Sequence, residues 1–232
     1  MSAAGPPQGT NCAPSGGVGE PTSAPMHTAS VTLQRPLAPE DEARAGAYAV
    51  LARLLAAPPD AGFLAVLGAA PRMADVPLAP VAEAWNRLLD ASVAMDADAA
   101  RSEYEALFIG VGRCEVNLHG SHWRTGFMME KPLVELRTDL AALGLARKGS
   151  ATMVEDHAAA LFETMRLLIS GDAERRAAPL AVQRNFFEMH LLPWIFDCCA
   201  AIERCSLANY YRRVAEFVEL FMSVERDSLA ME

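Results

Sequence analysis

Tyr210-Tyr211-Arg212-Arg213-Val214-Ala215-Glu216-Phe217-Val218-Glu219-Leu220-Phe221 is the stretch that decides the fold class. Its apolar groups Tyr210, Val214, Phe217, Val218 and Phe221 recur at intervals of three and four, which a 3.6-residue period gathers on one side of a helix. The same spacing continues toward the N-terminus. Pro193 can start a helix carrying Trp194, Ile195 and Cys198, and His157, Leu161, Met165 and Leu168 share a face that ends near Gly171. Leu133, Leu136, Leu140 and Leu143 line another face, closed by Gly144 where a helix favours glycine after its last turn. Tyr104, Leu107 and Phe108 precede Gly110, and Val81, Trp85, Leu88 and Leu89 form a further stripe. The first helix begins after Pro39 with Glu40, Asp41 and Glu42 where the helix dipole favours acid. It carries Tyr48, Leu51, Ala52 and Leu55, and Pro58-Pro59 stops it. No alternating run with turn signals compels a strand. The expectation is an all-α, compact multi-helix globule over residues 39–232.

Residues 1–38 are read as a disordered tail, because a run of Gly, Pro, Ser, Thr and Ala cannot bury enough surface to offset its ordering entropy. The chain has 232 residues, 52% of them hydrophobic, enough for one sizeable helical domain or two small ones. A formal net charge of -9 argues against nucleic acid, whose binding rests on a basic footprint, and suits a cationic peptide. The five cysteines, Cys12, Cys114, Cys198, Cys199 and Cys205, form no paired framework, so a reducing cytoplasm is expected. Stable membrane insertion is not expected, since no run of about eighteen apolar residues is present. The N-terminus lacks the basic start and apolar centre of a secretory signal.

Chemistry concentrates between Tyr104 and Met165. Tyr104-Glu105-Ala106-Leu107-Phe108-Ile109-Gly110 leads through a polar loop holding Ser121 and Trp123 to Glu155-Asp156-His157 at the start of another helix. Thr152 and Glu155 match a capping box, and Asp156 is expected in the first helical turn, ionised beside unpaired backbone N–H groups. A carboxylate held there can receive an arginine fork. His157 shares a face with Leu161 and Met165 and reads as a buried, hydrogen-bonded core histidine. An enzyme would need a third group to orient its ring and a nucleophile or metal to act on, and no local motif supplies either. Cys114, Glu115, His119 and His122 could in principle donate to zinc, but they lack the spacing of a closed site, and no metal is assigned. No Gly-x-x-x-x-Gly-Lys-[Ser/Thr] loop supports nucleotide binding.

Taken in order, these elements resemble the TorD/DmsD family of redox-enzyme maturation chaperones. The resemblance runs from about Glu40 to the C-terminus and is densest between Tyr104 and Met165. The family pattern has an aromatic-Leu-Phe-x-Gly element, matched by Tyr104 and Leu107-Phe108-Ile109-Gly110. A loop Ser with an aromatic two residues on follows, matched by Ser121 and Trp123, and then a Glu-Pro-x-Asp-His motif, matched by Asp156-His157. Phe186-Phe187-Glu188-Met189-His190-Leu191-Leu192-Pro193-Trp194 resembles a later family segment. The chain departs from the pattern at Met153 and Val154, where Glu and Pro would stand, and before Ser121, where prolines are common.

The resemblance implies a cytoplasmic, non-enzymatic chaperone. It would bind the twin-arginine leader, the apo form, or both, of a molybdenum- or tungsten-cofactor oxidoreductase before export. Any cofactor would travel with the client, so none is assigned here. A leader presents guanidinium groups beside an apolar helix, and its receptor needs carboxylates beside an apolar groove. Asp156 and Glu155 are expected to meet the arginines, with His157 holding the local geometry. Trp123 and Phe108 are expected to line the groove, and Ser121 to order the loop or meet peptide backbone. Gly126-Phe127-Met128-Met129-Glu130-Lys131-Pro132-Leu133 resembles members associated with formate dehydrogenases, with dimethyl sulfoxide, trimethylamine N-oxide and nitrate reductases as the other clients. Exchange of helices between copies would give a homodimer. The alternatives are a helical scaffold without leader recognition and a metal-dependent helical enzyme.

Overall fold

The computed structural model describes residues 37–74, 79–110, 114–145, 153–173 and 175–231. Cys12 and nearly all of the expected tail over 1–38 lie outside them, as does Thr152, so its capping box does too. Those from Pro36 to Glu232 belong to one compact unit, and it is all-α.

The first helix, α1 (Pro39–Ala56), has proline in its first turn, where no N–H is needed, and three acids beside the positive end of its dipole. It ends before Pro58-Pro59 as the sequence predicts. α2 (Ala61–Gly68) is capped by Asp60, whose side chain accepts the Phe63 N–H at 2.8 Å. It packs on α3 (Ala79–Ala94). α4 (Ala97–Tyr104), capped by Asp96, runs into a π-helical turn at Glu105–Ile109, which closes when Gly110 N–H donates to Glu105 O at 2.8 Å. α5 (Gly120–Thr125), α6 (Lys131–Ala142) and α7 (Ala158–Ser170) follow. α8 (Leu180–His190), α9 (Ile195–Arg204) and α10 (Tyr210–Ala230) complete the unit.

α10 is the central helix, packed against α3, α8 and α9, with lesser contacts to α1 and α4. All five members of its predicted stripe are buried. α1 and α7 form the other extensive pairing. Tyr48 joins these layers, with its ring 5.9 Å from that of Phe162 on α7 and 5.0 Å from that of Phe221 on α10.

A buried carboxylate, Glu225, and a partly buried one, Glu103, organise this frame. Glu225 on α10 receives Arg44 of α1 as a fork, Nε to Oε1 at 2.7 Å and Nη2 to Oε2 at 2.9 Å, and also accepts the Tyr48 hydroxyl at 3.0 Å. Each remaining lone pair so engaged reduces the desolvation cost of burying the charge. Glu103 on α4 accepts the backbone N–H groups of Asn209, Tyr210 and Tyr211 at 2.8, 3.0 and 2.8 Å. It therefore caps α10 from another helix, a role that local sequence around Asn209 does not reveal.

Three local expectations are corrected. Ser121 and Trp123 lie on a short helix, α5, rather than in a loop. α9 starts at Ile195, so Pro193 stands in the preceding turn and Trp194 is the residue before the helix. α7 starts at Ala158, which puts Asp156 before the helix instead of in its first turn. Gly144 and Gly171 close α6 and α7 with φ of 67° and 68°, a backbone region open to glycine at little cost.

Candidate functional site

The segment before α5 and the segment before α7 run antiparallel and pair briefly at His119 and His157. Gly120 N–H donates to Asp156 O at 2.9 Å, and Ala158 N–H donates to Leu118 O at 2.8 Å. This pairing lets α5 lie so close to the core that a side chain at position 120 would force a neighbour to shift. A Cβ there would stand 2.9 Å from Nε1 of Trp194, whose indole is buried and donates to His190 O at 2.7 Å.

Asp156 and Ser121 lock the junction. The Oδ2 of Asp156 accepts the Ser121 N–H at 2.9 Å and also the Ser121 hydroxyl. Ser121 is 0% exposed and Asp156 only 4%, so water does not compete for these bonds. The Oδ1 of Asp156 is buried with no hydrogen-bond partner. The Asp156 carboxylate thus faces inward, bonded to its own chain, and does not stand open at the surface.

His157 caps α7: its Nδ1 accepts the Ala159 N–H at 3.1 Å, a geometry that places the ring proton on Nε2. Its ring meets that of His119 edge-on, with centroids 4.9 Å apart. Burial lowers the His157 pKa from 6.5 to about 4, aided by His119 and opposed by the Asp156 charge. The His119 pKa is lowered by burial as well. Both imidazoles are therefore neutral at neutral pH.

Asn117 is the residue of this region that sequence reasoning missed. Its side-chain oxygen accepts the His119 N–H at 2.9 Å, and its backbone oxygen accepts Trp123 Nε1–H at 2.7 Å. An Asn followed two residues later by a turn donor is the local signal for such an Asx-type bond. Trp123 is half-buried through that bond. Phe108 is half-buried too, edge-on to Tyr104 and Tyr211 at 5.2 and 5.0 Å.

Glu155, one residue before this lock, points the other way, into a groove between α1, the end of α6 and α7. The groove has a volume of about 490 Å³. Ala49, Ala52 and Ala56 of α1, Leu140 and Leu145 at the end of α6, and Leu167 of α7 make its apolar wall. Small alanines on α1 leave room that larger residues would fill. Glu155, Glu163, Arg53 and Thr164 supply its polar groups. The Glu155 Oε2 accepts Arg137 Nε–H and Nη2–H of α6 at 3.2 and 2.9 Å. Glu163 binds Arg166, one turn along α7, through two bonds at 2.8 and 2.6 Å.

Of the six residues expected to meet a peptide, the structure brings Ser121, Asp156 and His157 together in the buried lock. It places Glu155 in the groove, and Trp123 and Phe108 are not among the described residues lining it. Among the described residues no three His, Cys, Asp or Glu side chains are grouped to hold a metal ion, Cys114, Glu115, His119 and His122 included. Cys198 and Cys199 are buried on α9, where burial pushes the Cys198 thiol up to about 12 and that of Cys199 well above its ordinary value. Among the described residues no helix is long and apolar enough to cross a membrane.

Comparison with curated proteins gives no match. The family model described as nitrate reductase delta subunit matches residues 76–200, a segment that holds the π-turn, the Ser121–Asp156 lock, His157 and Glu155. That is more than half of the chain, and the match agrees with the TorD/DmsD resemblance. With this lock and Glu155 inside the matched segment, the chain belongs to the nitrate reductase delta subunit family, whose members are redox-enzyme maturation chaperones.

Proposed function

We propose that this protein acts in the cytoplasm as the chaperone of a molybdenum- or tungsten-cofactor oxidoreductase, holding the apo form through its twin-arginine leader until the cofactor is inserted. The groove between α1, α6 and α7 receives the leader. Its alanine and leucine walls take the apolar helical stretch, and Glu155 takes an arginine. The observation that carries this reading is Glu155 itself, a carboxylate with a side chain only 15% exposed, set against an apolar wall and already geared to a guanidinium fork. The net charge of -9 adds a long-range preference for a cationic segment.

In this reading Asp156, Ser121 and His157 serve the leader indirectly. They hold the turn from which Glu155 projects, and Asp156 supplies position instead of a direct arginine contact. Trp123 on α5 and Phe108 in the π-helical turn lie within the matched segment, and neither is among the described residues lining the groove. No residue is assigned a catalytic role. The client is a nitrate reductase-type enzyme by family, and a formate dehydrogenase by the resemblance of the Gly126–Leu133 segment.

Calorimetric titration with leader peptides from both client types, each beside a twin-lysine control, tests the reading. One twin-arginine leader should bind, its lysine counterpart should bind more weakly, and Glu155→Gln should weaken the arginine peptide by about tenfold or more, the worth of a charged hydrogen bond. Equal affinity for the arginine and lysine peptides, or for the wild type and Glu155→Gln, refutes it.

A further inference from the structure

Glu155 is not waiting with water alone. Arg137, on the neighbouring helix α6, donates both Nε–H and Nη2–H to its Oε2 at 3.2 and 2.9 Å. Eighteen positions separate the two residues, so the pair is a tertiary contact, unlike the Glu163–Arg166 pair one turn apart on α7. The two partners are unequally exposed. The Glu155 side chain is 15% exposed against the groove, whereas that of Arg137 is 53% exposed. If the pair opens, water can solvate the guanidinium at once, so Arg137 leaves at little cost to itself.

We infer that Arg137 is a built-in competitor for the arginine site, occupying Glu155 with the same guanidinium chemistry that an incoming peptide presents and being displaced when that peptide binds. The inference rests on the proposed leader-binding groove and concerns how its affinity is set. Exchange of one guanidinium for another leaves the carboxylate satisfied throughout, so Glu155 never stands bare in the empty groove. The exchange also sets a threshold. A peptide must offer a fork at least as good as that of Arg137, which a single ammonium cannot do with the same planar geometry. The affinity of every cationic segment is lowered alike, so weakly bound unrelated segments fall below a useful occupancy while a strong leader still binds. Because the Arg137 end of the pair is solvent-exposed, its competition is modest and the intended client still displaces it.

The test uses four full-length proteins, the wild type, Arg137→Gln, Glu155→Gln and the double variant, each titrated by calorimetry with one twin-arginine leader peptide and its twin-lysine control. Removing the competitor should tighten the arginine peptide by about two- to fivefold, the range of a partly exposed ion pair. It should tighten the lysine peptide by a similar factor, because an internal competitor lowers the affinity of every ligand of that carboxylate alike. In the Glu155→Gln background the Arg137→Gln change should have no effect on either peptide. Unchanged or weaker binding by Arg137→Gln, with leader binding intact in the wild type, overturns the competitor role alone and leaves the chaperone reading standing. The same gain in both backgrounds also overturns it. No binding by any of the four proteins overturns both.

Discussion

Replacing Ser121 by Ala takes away one hydroxyl and leaves every backbone bond of the α5–α7 junction in place. The Oδ2 of Asp156 would retain the Ser121 N–H at 2.9 Å but lose its second donor, while Oδ1 already has none. Both residues are almost fully buried, so a water cannot readily take the place of the lost hydroxyl. A buried hydrogen bond to a charged acceptor is worth about 1.5–3 kcal/mol when one partner is removed. For a domain of this size each kcal/mol moves the melting temperature by about 2–4 °C, so a fall of about 3–12 °C is expected. Urea unfolding should give the matching free energy, and far-UV circular dichroism should remain helical because no helix depends on the hydroxyl alone. The decisive assay is the cycle with Asp156→Asn. If the two side chains act as one lock, the double variant should lose less than the sum of the singles by about 0.5–3 kcal/mol. A loss below about 0.5 kcal/mol for Ser121→Ala, or strict additivity, would refute the reasoning.

Two further predictions concern the same junction. Because the folded-state pKa of His157 lies near 4, below its ordinary 6.5, the unfolded chain binds the proton first. Stability is thus complete above about pH 6.5 and falls as the pH drops toward 4, by up to about 3 kcal/mol. His157→Asn keeps a capping oxygen but does not titrate, so urea midpoints measured from pH 7 to pH 4.5 should decline less steeply than in the wild type, with a residual slope from His119. Parallel slopes would exclude His157 as the source. Gly120→Ala should cost about 1–3 kcal/mol in thermal unfolding, since its methyl would press on a Trp194 ring that cannot swing away without breaking its bond to His190 O. A neutral result would mean that α5 shifts freely.

Most of the helical architecture was legible along the chain. The stripes led by Tyr48, Leu133 and Tyr210, the stop at Pro58-Pro59 and the closing glycines at 144 and 171 are local features, because a helix records its buried face every 3.6 residues and its ends in its caps. The Asp156-His157 pair was equally visible as a motif, and the burial of His157 followed from the face it shares with Leu161. Which way its neighbours point was not visible. Asp156 turns inward to Ser121, 35 residues earlier, and Glu155 turns outward to Arg137, 18 residues earlier. The helix α5 has six residues, too few to show a period, and is held by Gly126 at its end and by its pairing with the segment before α7. Glu103 caps a helix more than a hundred positions away. Backbone propensity and apolar spacing are written within a turn or two of each residue and can be read in order. The destination of a buried carboxylate is chosen by whichever donors the folded chain brings beside it, and only the tertiary structure decides that.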